Sequence, residues 1–125
     1  MPQLTDYRTV TPYLVVANAD ALVTFVKRAF NATEQSCNRN PDGTVAHAEL
    51  QIGDSLIMVG QAGGPIGARS AALYLWVPDV DAVYTRAIDA GGTSESAPED
   101  KPYGHRTAGV DMGEIRWWIG SPIAA

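Results

Sequence analysis

Ala71-Ala-Leu-Tyr-Leu-Trp-Val-Pro-Asp-Val-Asp-Ala-Val-Tyr-Thr-Arg-Ala-Ile-Asp-Ala-Gly-Gly92 is the stretch whose reading decides the fold. Residues 71–77 alternate with the period of a strand, and Pro78-Asp79 then turns the chain. An apolar-periodic segment follows and stops at Gly91-Gly92. The order is strand, tight turn, helix, stop. The same unit opens the chain as Pro12-Tyr-Leu-Val-Val-Ala-Asn-Ala-Asp-Ala-Leu-Val-Thr-Phe-Val-Lys-Arg-Ala-Phe30.

Working outward from the first copy, residues 1–9 are polar and expected to be partly extended, and 10–16 form a strand with Pro12 at its start. Asn18 or Asp20 caps a helix over about 20–30, with Leu22, Val23, Val26 and Phe30 as the buried stripe. A poorly alternating strand over 33–39 leads to the turn Asn40-Pro-Asp-Gly43. Residues 45–52 alternate cleanly, with Ala48, Leu50 and Ile52 on one face and His47, Glu49 and Gln51 on the other. Gly53-Asp54 turns them into a return strand over 55–59.

The second copy continues in the same order. A weak strand spans 93–97, and 98–106 reads as a polar loop, expected to be the most mobile element from its two prolines and glycine. Strands over 106–110 and 115–119 flank Asp111-Met-Gly-Glu114. Each half is therefore β-α-β-β-β, an internal repeat that constrains the fold more than any one segment. The expected division is a first module over 1–62, a Gly-rich connector over 63–70 and a second module over 71–125. Neither half is large enough to bury a good core alone, so the two should pack together.

Composition narrows the function classes. With 46% apolar and 18% charged residues, the chain is of ordinary globular make-up. A net charge of −5 with scattered basic residues argues against nucleic acid, which needs concentrated positive charge. No apolar run is long enough to span a bilayer, and no basic-then-apolar leader opens the chain. The expected location is the cytoplasm, with no membrane partner. The single cysteine, Cys37, rules out an internal disulfide or a cysteine-built zinc site.

This arrangement resembles the glyoxalase/bleomycin-resistance/extradiol-dioxygenase (vicinal oxygen chelate) superfamily, and within it the PhnB-like bacterial members. The resemblance rests on Pro12 to Val16, Phe25 to Phe30, Pro41 to Ser55, Val77 to Val83, Ala90 to Gly92, Pro98 to Asp100, Tyr103-Gly104 and Gly113 to Ile119. It implies an α+β fold: two βαβββ modules form a curved mixed-sheet cup with helices on the convex side and a ligand inside. It also implies a homodimer. Metal-dependent members place His, Glu or Gln at four matched strand positions. Counted from the strand anchors, these are Thr11, Ile57, Ala72 and Trp117, none of them a good donor for a divalent metal. No metal and no cofactor are therefore expected.

Strand parity assigns the cup lining. Leu73, Leu75 and Val77 should face the helices, which sends Ala72, Tyr74 and Trp76 inward, alongside Thr11, Tyr13 and Val15. Ile57 and Val59 are matched with Trp117 and Ile119 as cup residues, leaving Trp118 as the structural tryptophan. The expected ligand-binding set is Tyr13, His47, Glu49, Ile57, Tyr74, Trp76, Tyr103, His105 and Trp117. His47 and Glu49 admit three readings: a satisfied polar pair, hydrogen-bonding groups for a ligand, or part of an ion site with Glu114 or His105. No residue is assigned as catalytic.

Aromatic side chains in a concave, part-polar site suit a flat organic ligand, and the acidic residues suit a cation. The expected function is metal-free binding of an aromatic or cationic antibiotic or toxin without altering it. The alternative is an enzyme of the same fold, a glyoxalase-like lyase or isomerase or a dioxygenase, acting on a small metabolite.

Overall fold

The computed structural model describes residues 7–123. The first six residues of the expected extended N-terminal stretch, and the last two of the second module, lie outside the described residues. The first module runs β1 (Tyr13–Val16), α1 (Ala19–Phe30), β2 (Thr33–Arg39), β3 (Val45–Ile52) and β4 (Ser55–Gln61). The second runs β5 (Ala71–Trp76), α2 (Val80–Asp89), β6 (Thr93–Asp100), β7 (His105–Met112) and β8 (Ile115–Pro122). No helix among the described residues is long and apolar enough to cross a membrane.

Local chemistry sets the helix ends. Asn18 caps α1 by accepting from the Ala21 N–H at 3.0 Å, with Asp20 in the first turn and Lys27 and Arg28 in the last. The helix ends at Asn31, which adopts a left-handed conformation (φ 55°). Asp79 caps α2 through the Ala82 N–H at 3.1 Å. At its other end a Cβ on Gly92 would sit 3.0 Å from the Ala87 carbonyl oxygen, so the sharp exit from α2 needs glycine.

Each module builds its own four-stranded sheet, sheet 1 in the order β1-β4-β3-β2 and sheet 2 in the order β5-β8-β7-β6. The β1–β4 and β5–β8 pairs are parallel and the rest antiparallel. The single curved cup expected from the sequence is thus two separate sheets within one chain. No ladder joins β1 to β5. The free edge of β1 is instead taken up by the connector, whose Arg69 N–H donates to the Val15 carbonyl at 2.9 Å.

The helices pack on one face of each sheet and on one another, and a single apolar core joins both modules. Leu14, Val16, Ala48, Leu50, Ile57 and Val59 enter it from sheet 1. Ala108, Val110, Ile115, Trp117 and Ile119 enter it from sheet 2. Two elements differ from expectation for identifiable reasons. The poor alternation of β2 reflects register shifts at Glu34/Ser36 and Asn38/Arg39 on an edge strand. The loop expected over 98–106 shrinks to residues 101–104, because β6 carries Pro98 at its edge and runs on to Asp100. The Lys101 N–H then donates to the His105 carbonyl at 2.7 Å and closes a tight turn.

Candidate functional site

With one face of each sheet buried against helices, the opposite faces carry the chemistry. On sheet 2 this outer face holds a run of aromatic rings. Tyr74 and Trp76 lie 4.6 Å apart between centroids, Trp76 meets His105 edge-on at 4.9 Å, and His105 meets Tyr103 at 5.4 Å. The run is open to solvent: Tyr74 is 41%, Trp76 58% and Tyr103 65% exposed. Partial burial, and secondarily the neighbouring Tyr103, hold the Tyr74 phenol above its ordinary range.

Beside the run lies Trp118, paired across the sheet with Gly109, where a Cβ would stand 3.0 Å from the indole. The Arg116 guanidinium sits 5.6 Å from the Trp118 ring centroid and bonds Asp111 in bidentate fashion, at 2.7 and 3.0 Å. That fork lowers the Asp111 pKa and raises that of Arg116.

The outer face of sheet 1 is more polar. Tyr13 meets His47 edge-on at 5.6 Å, and Glu49, only 7% exposed, accepts from the Tyr7 hydroxyl at 2.7 Å. Tyr13 lies over Gly60, where a Cβ would be 2.6 Å from the phenol oxygen. Tyr74 lies over Gly120 in the same way. The two tyrosines are therefore counterparts, each allowed to lie flat by a glycine on the neighbouring strand.

Of the nine residues expected at the site, the structure brings Tyr13, His47 and Glu49 together on sheet 1. It brings Tyr74, Trp76, Tyr103 and His105 together on sheet 2. Among the described residues, no hydrogen bond, ion pair or ring contact links one set to the other.

Ile57 and Trp117 do not belong to either set. Both point to the helices: Ile57 is 2% exposed, and Trp117 is fully buried against Phe25 and Phe30, at 6.4 and 5.0 Å. The parity on β4 and β8 is one residue out from the sequence reading. Trp117 is the structural tryptophan, and Trp118 is the one on the outer face. A signal for this stood in the chain. Ile115, Trp117 and Ile119 are uniformly apolar, whereas Arg116 and Gly120 share the parity of Trp118.

The same correction moves two of the four metal positions implied by the resemblance. The positions become Thr11, just before β1, Met58, Ala72 and Trp118, of which the last three share the outward parity of Tyr13 and Tyr74. A hydroxyl, a thioether, a methyl and an indole supply neither imidazole nor carboxylate, so this donor set does not fit a divalent metal. Nor do His47 and Glu49 gather with Glu114 or His105: no three His, Cys, Asp or Glu side chains among the described residues are placed to hold an ion. Glu114 is engaged elsewhere, its Oε1 accepting from the Ala17 N–H at 3.4 Å.

Two βαβββ modules, each a four-stranded sheet with a helix on one face, define a paired-module α+β scaffold. Residues 8–119 match the Glyoxalase/Bleomycin resistance protein/Dioxygenase superfamily, and the chain belongs to it. An uncharacterized protein of Mycobacterium bovis is 34% identical over 125 residues, covering 90% of this chain and 82% of that protein. The crystal structure of TioX from Micromonospora sp. ML1 superposes with a TM-score of 0.79 at 26% identity, over 93% of this chain and 99% of TioX. A PhnB protein from Bacillus cereus shares the fold, with a TM-score of 0.71 at 16% identity over 91% of this chain and 99% of its own.

Proposed function

We propose that the protein binds a small planar aromatic molecule, an antibiotic or toxin, and holds it unmodified. The ligand lies between the outer face of sheet 2 in one copy and the outer face of sheet 1 in a second copy. The cup is thus completed by a homodimer rather than within one chain. The observation that carries this reading is the exposed run Tyr74–Trp76–His105–Tyr103, which no other part of the described chain covers. Exposed aromatic clusters of this kind mark binding surfaces.

Three further features support it. Ring stacking and area burial need no metal, in keeping with the donor set at Thr11, Met58, Ala72 and Trp118. Among the described residues, the free edge of β5 makes no backbone hydrogen bond over residues 72–76 beyond its ladder with β8, which suits pairing with a partner. Glu49 on the facing sheet, in a chain of net charge −5, favours a ligand carrying a positive charge.

The test is a titration of EDTA-treated protein with a panel of planar aromatic compounds, cationic and neutral. Tryptophan fluorescence reads binding, sedimentation reads the oligomer, and mass spectrometry reads the recovered compound. Binding at one ligand per chain in a dimer, with the compound returned intact, supports the proposal. A product formed only after a divalent metal is added back favours the enzyme reading and overturns it.

A further inference from the structure

The one charged side chain buried among the described residues is Glu49, on the outer face of sheet 1. It lies in a row across that face with Ser36 on β2, Met58 on β4 and Tyr13 on β1. The row contains no Lys or Arg. His47, the neighbouring outward residue on β3, meets the Tyr13 ring edge-on. Among the described residues, no Lys, Arg or His forms an ion pair with Glu49. Arg8, the residue after Tyr7, stands 4.0 Å from the exposed Asp54 instead.

A carboxylate buried this deeply is ordinarily matched by a cation, because burial strips its hydration. Glu49 has a neutral donor in that place, the Tyr7 hydroxyl at 2.7 Å. Tyr7 belongs to the segment ahead of β1 and not to the sheet it touches. The contact is therefore not fixed by a strand ladder, and the phenol can leave without breaking one. An ammonium would bring Glu49 a hydrogen bond and an opposite charge, where the phenol brings the hydrogen bond alone.

We infer that the ligand of the outer-face site carries an ammonium group, that Glu49 is the residue that reads its charge, and that the Tyr7 hydroxyl is the internal donor this ammonium displaces. This rests on the outer-face reading above and sharpens it. The planar body of the ligand lies against the aromatic run of sheet 2, and its amine reaches Glu49 on the facing sheet 1. Tyr7 competes with the amine for the same carboxylate, so the site discriminates against flat molecules that offer no cation.

Calorimetric titration with two probes of one shape tests this: 1-naphthylmethylamine, charged, and 1-(methoxymethyl)naphthalene, which is neutral and has no donor. The native protein should bind the amine more tightly than the ether. Tyr7→Phe keeps the ring and removes the competing hydroxyl. It should tighten the amine roughly tenfold, about the worth of one hydrogen bond to a charged group, and leave the ether unchanged. Glu49→Gln, nearly isosteric, should reduce the amine to the affinity of the ether. Weaker amine binding by Tyr7→Phe would make the phenol part of the site and overturn the inference. The indole N–H signals of Trp76 and Trp118 separate this result from the outer-face reading. Where both probes shift them but the amine binds equally to all three proteins, the roles of Glu49 and Tyr7 fall and the outer face stands. Where neither probe shifts them, the outer-face reading fails and the inference fails with it.

Discussion

The two modules share one topology and divide the work differently. In the first, α1 buries seven residues, the connector occupies the free edge of β1, and the outer carboxylate of Glu49 is tied down by Tyr7. In the second, α2 buries Val80, Val83 and Ala87, the free edge of β5 is bare among the described residues, and the outer face presents aromatic rings to solvent. Local order is thus invested in module 1, and unspent contact surface in module 2. Both keep the device of a tyrosine laid over a glycine, Tyr13 on Gly60 and Tyr74 on Gly120, so the outer faces are variants of one design.

The sharpest way to break this comparison is to exchange the roles of the adjacent tryptophans. Trp117→Ala should cost about 3–5 kcal/mol in denaturant unfolding, as expected for a large buried aromatic. Trp118→Ala, at a half-buried position, should cost less, about 1–2 kcal/mol, and should instead weaken aromatic-ligand binding. A large loss of stability for Trp118→Ala with little for Trp117→Ala would reverse the assignment of faces.

Smaller effects come from the glycines. Gly92→Ala forces a Cβ against the Ala87 carbonyl and the Val110 side chain and should destabilise by about 1–3 kcal/mol. The three atoms nearest a Cβ on Gly120 all belong to the exposed ring of Tyr74, which can swing aside. Gly120→Ala should leave thermal stability within about 1 kcal/mol while lowering ligand affinity. Equal loss of stability in the two variants would mean that Tyr74 is a packed residue and not a movable part of a binding surface.

The smallest expected effect concerns acid. Hydrogen bonding to Arg116 lowers the Asp111 pKa in the folded protein, so this pair contributes stability above the unfolded carboxylate value of about 4. That contribution is lost as pH falls through the lowered folded value. Both side chains are more than a third exposed, so screening keeps the term small. Arg116→Gln should flatten the acid limb of a stability–pH curve slightly. A steeper limb would indicate that Arg116 balances charges other than Asp111.

The repeat of βα units, the capping of α1 (as Asn18 or Asp20) and the alternation of β3 were legible in the sequence because each is a local pattern. The outer placement of Tyr74 and Trp76 followed from the apolar run Leu73, Leu75 and Val77, and that of Tyr13 from the same alternation on β1. The misplacement of Ile57 and Trp117 came from matching the return strands of the two modules with Trp117 inward, when Arg116 and Gly120 held the parity of β8. The separation of the sheets was not legible. Whether β1 and β5 share an edge is decided by what covers them, and a connector N–H bonding Val15 has no signature in composition. The Tyr7–Glu49 hydrogen bond was missed for a similar reason, since its partners are 42 residues apart.

The most direct test of the outer-face site is to follow the indole N–H signals of Trp76, Trp117 and Trp118 while a planar aromatic ligand from the panel is titrated into metal-free protein. The account predicts saturable shifts of Trp76 and Trp118, with Trp117 unmoved. Shifts of Trp117 alone, with Trp76 and Trp118 unchanged, would contradict it and place such ligands on the core side of β5.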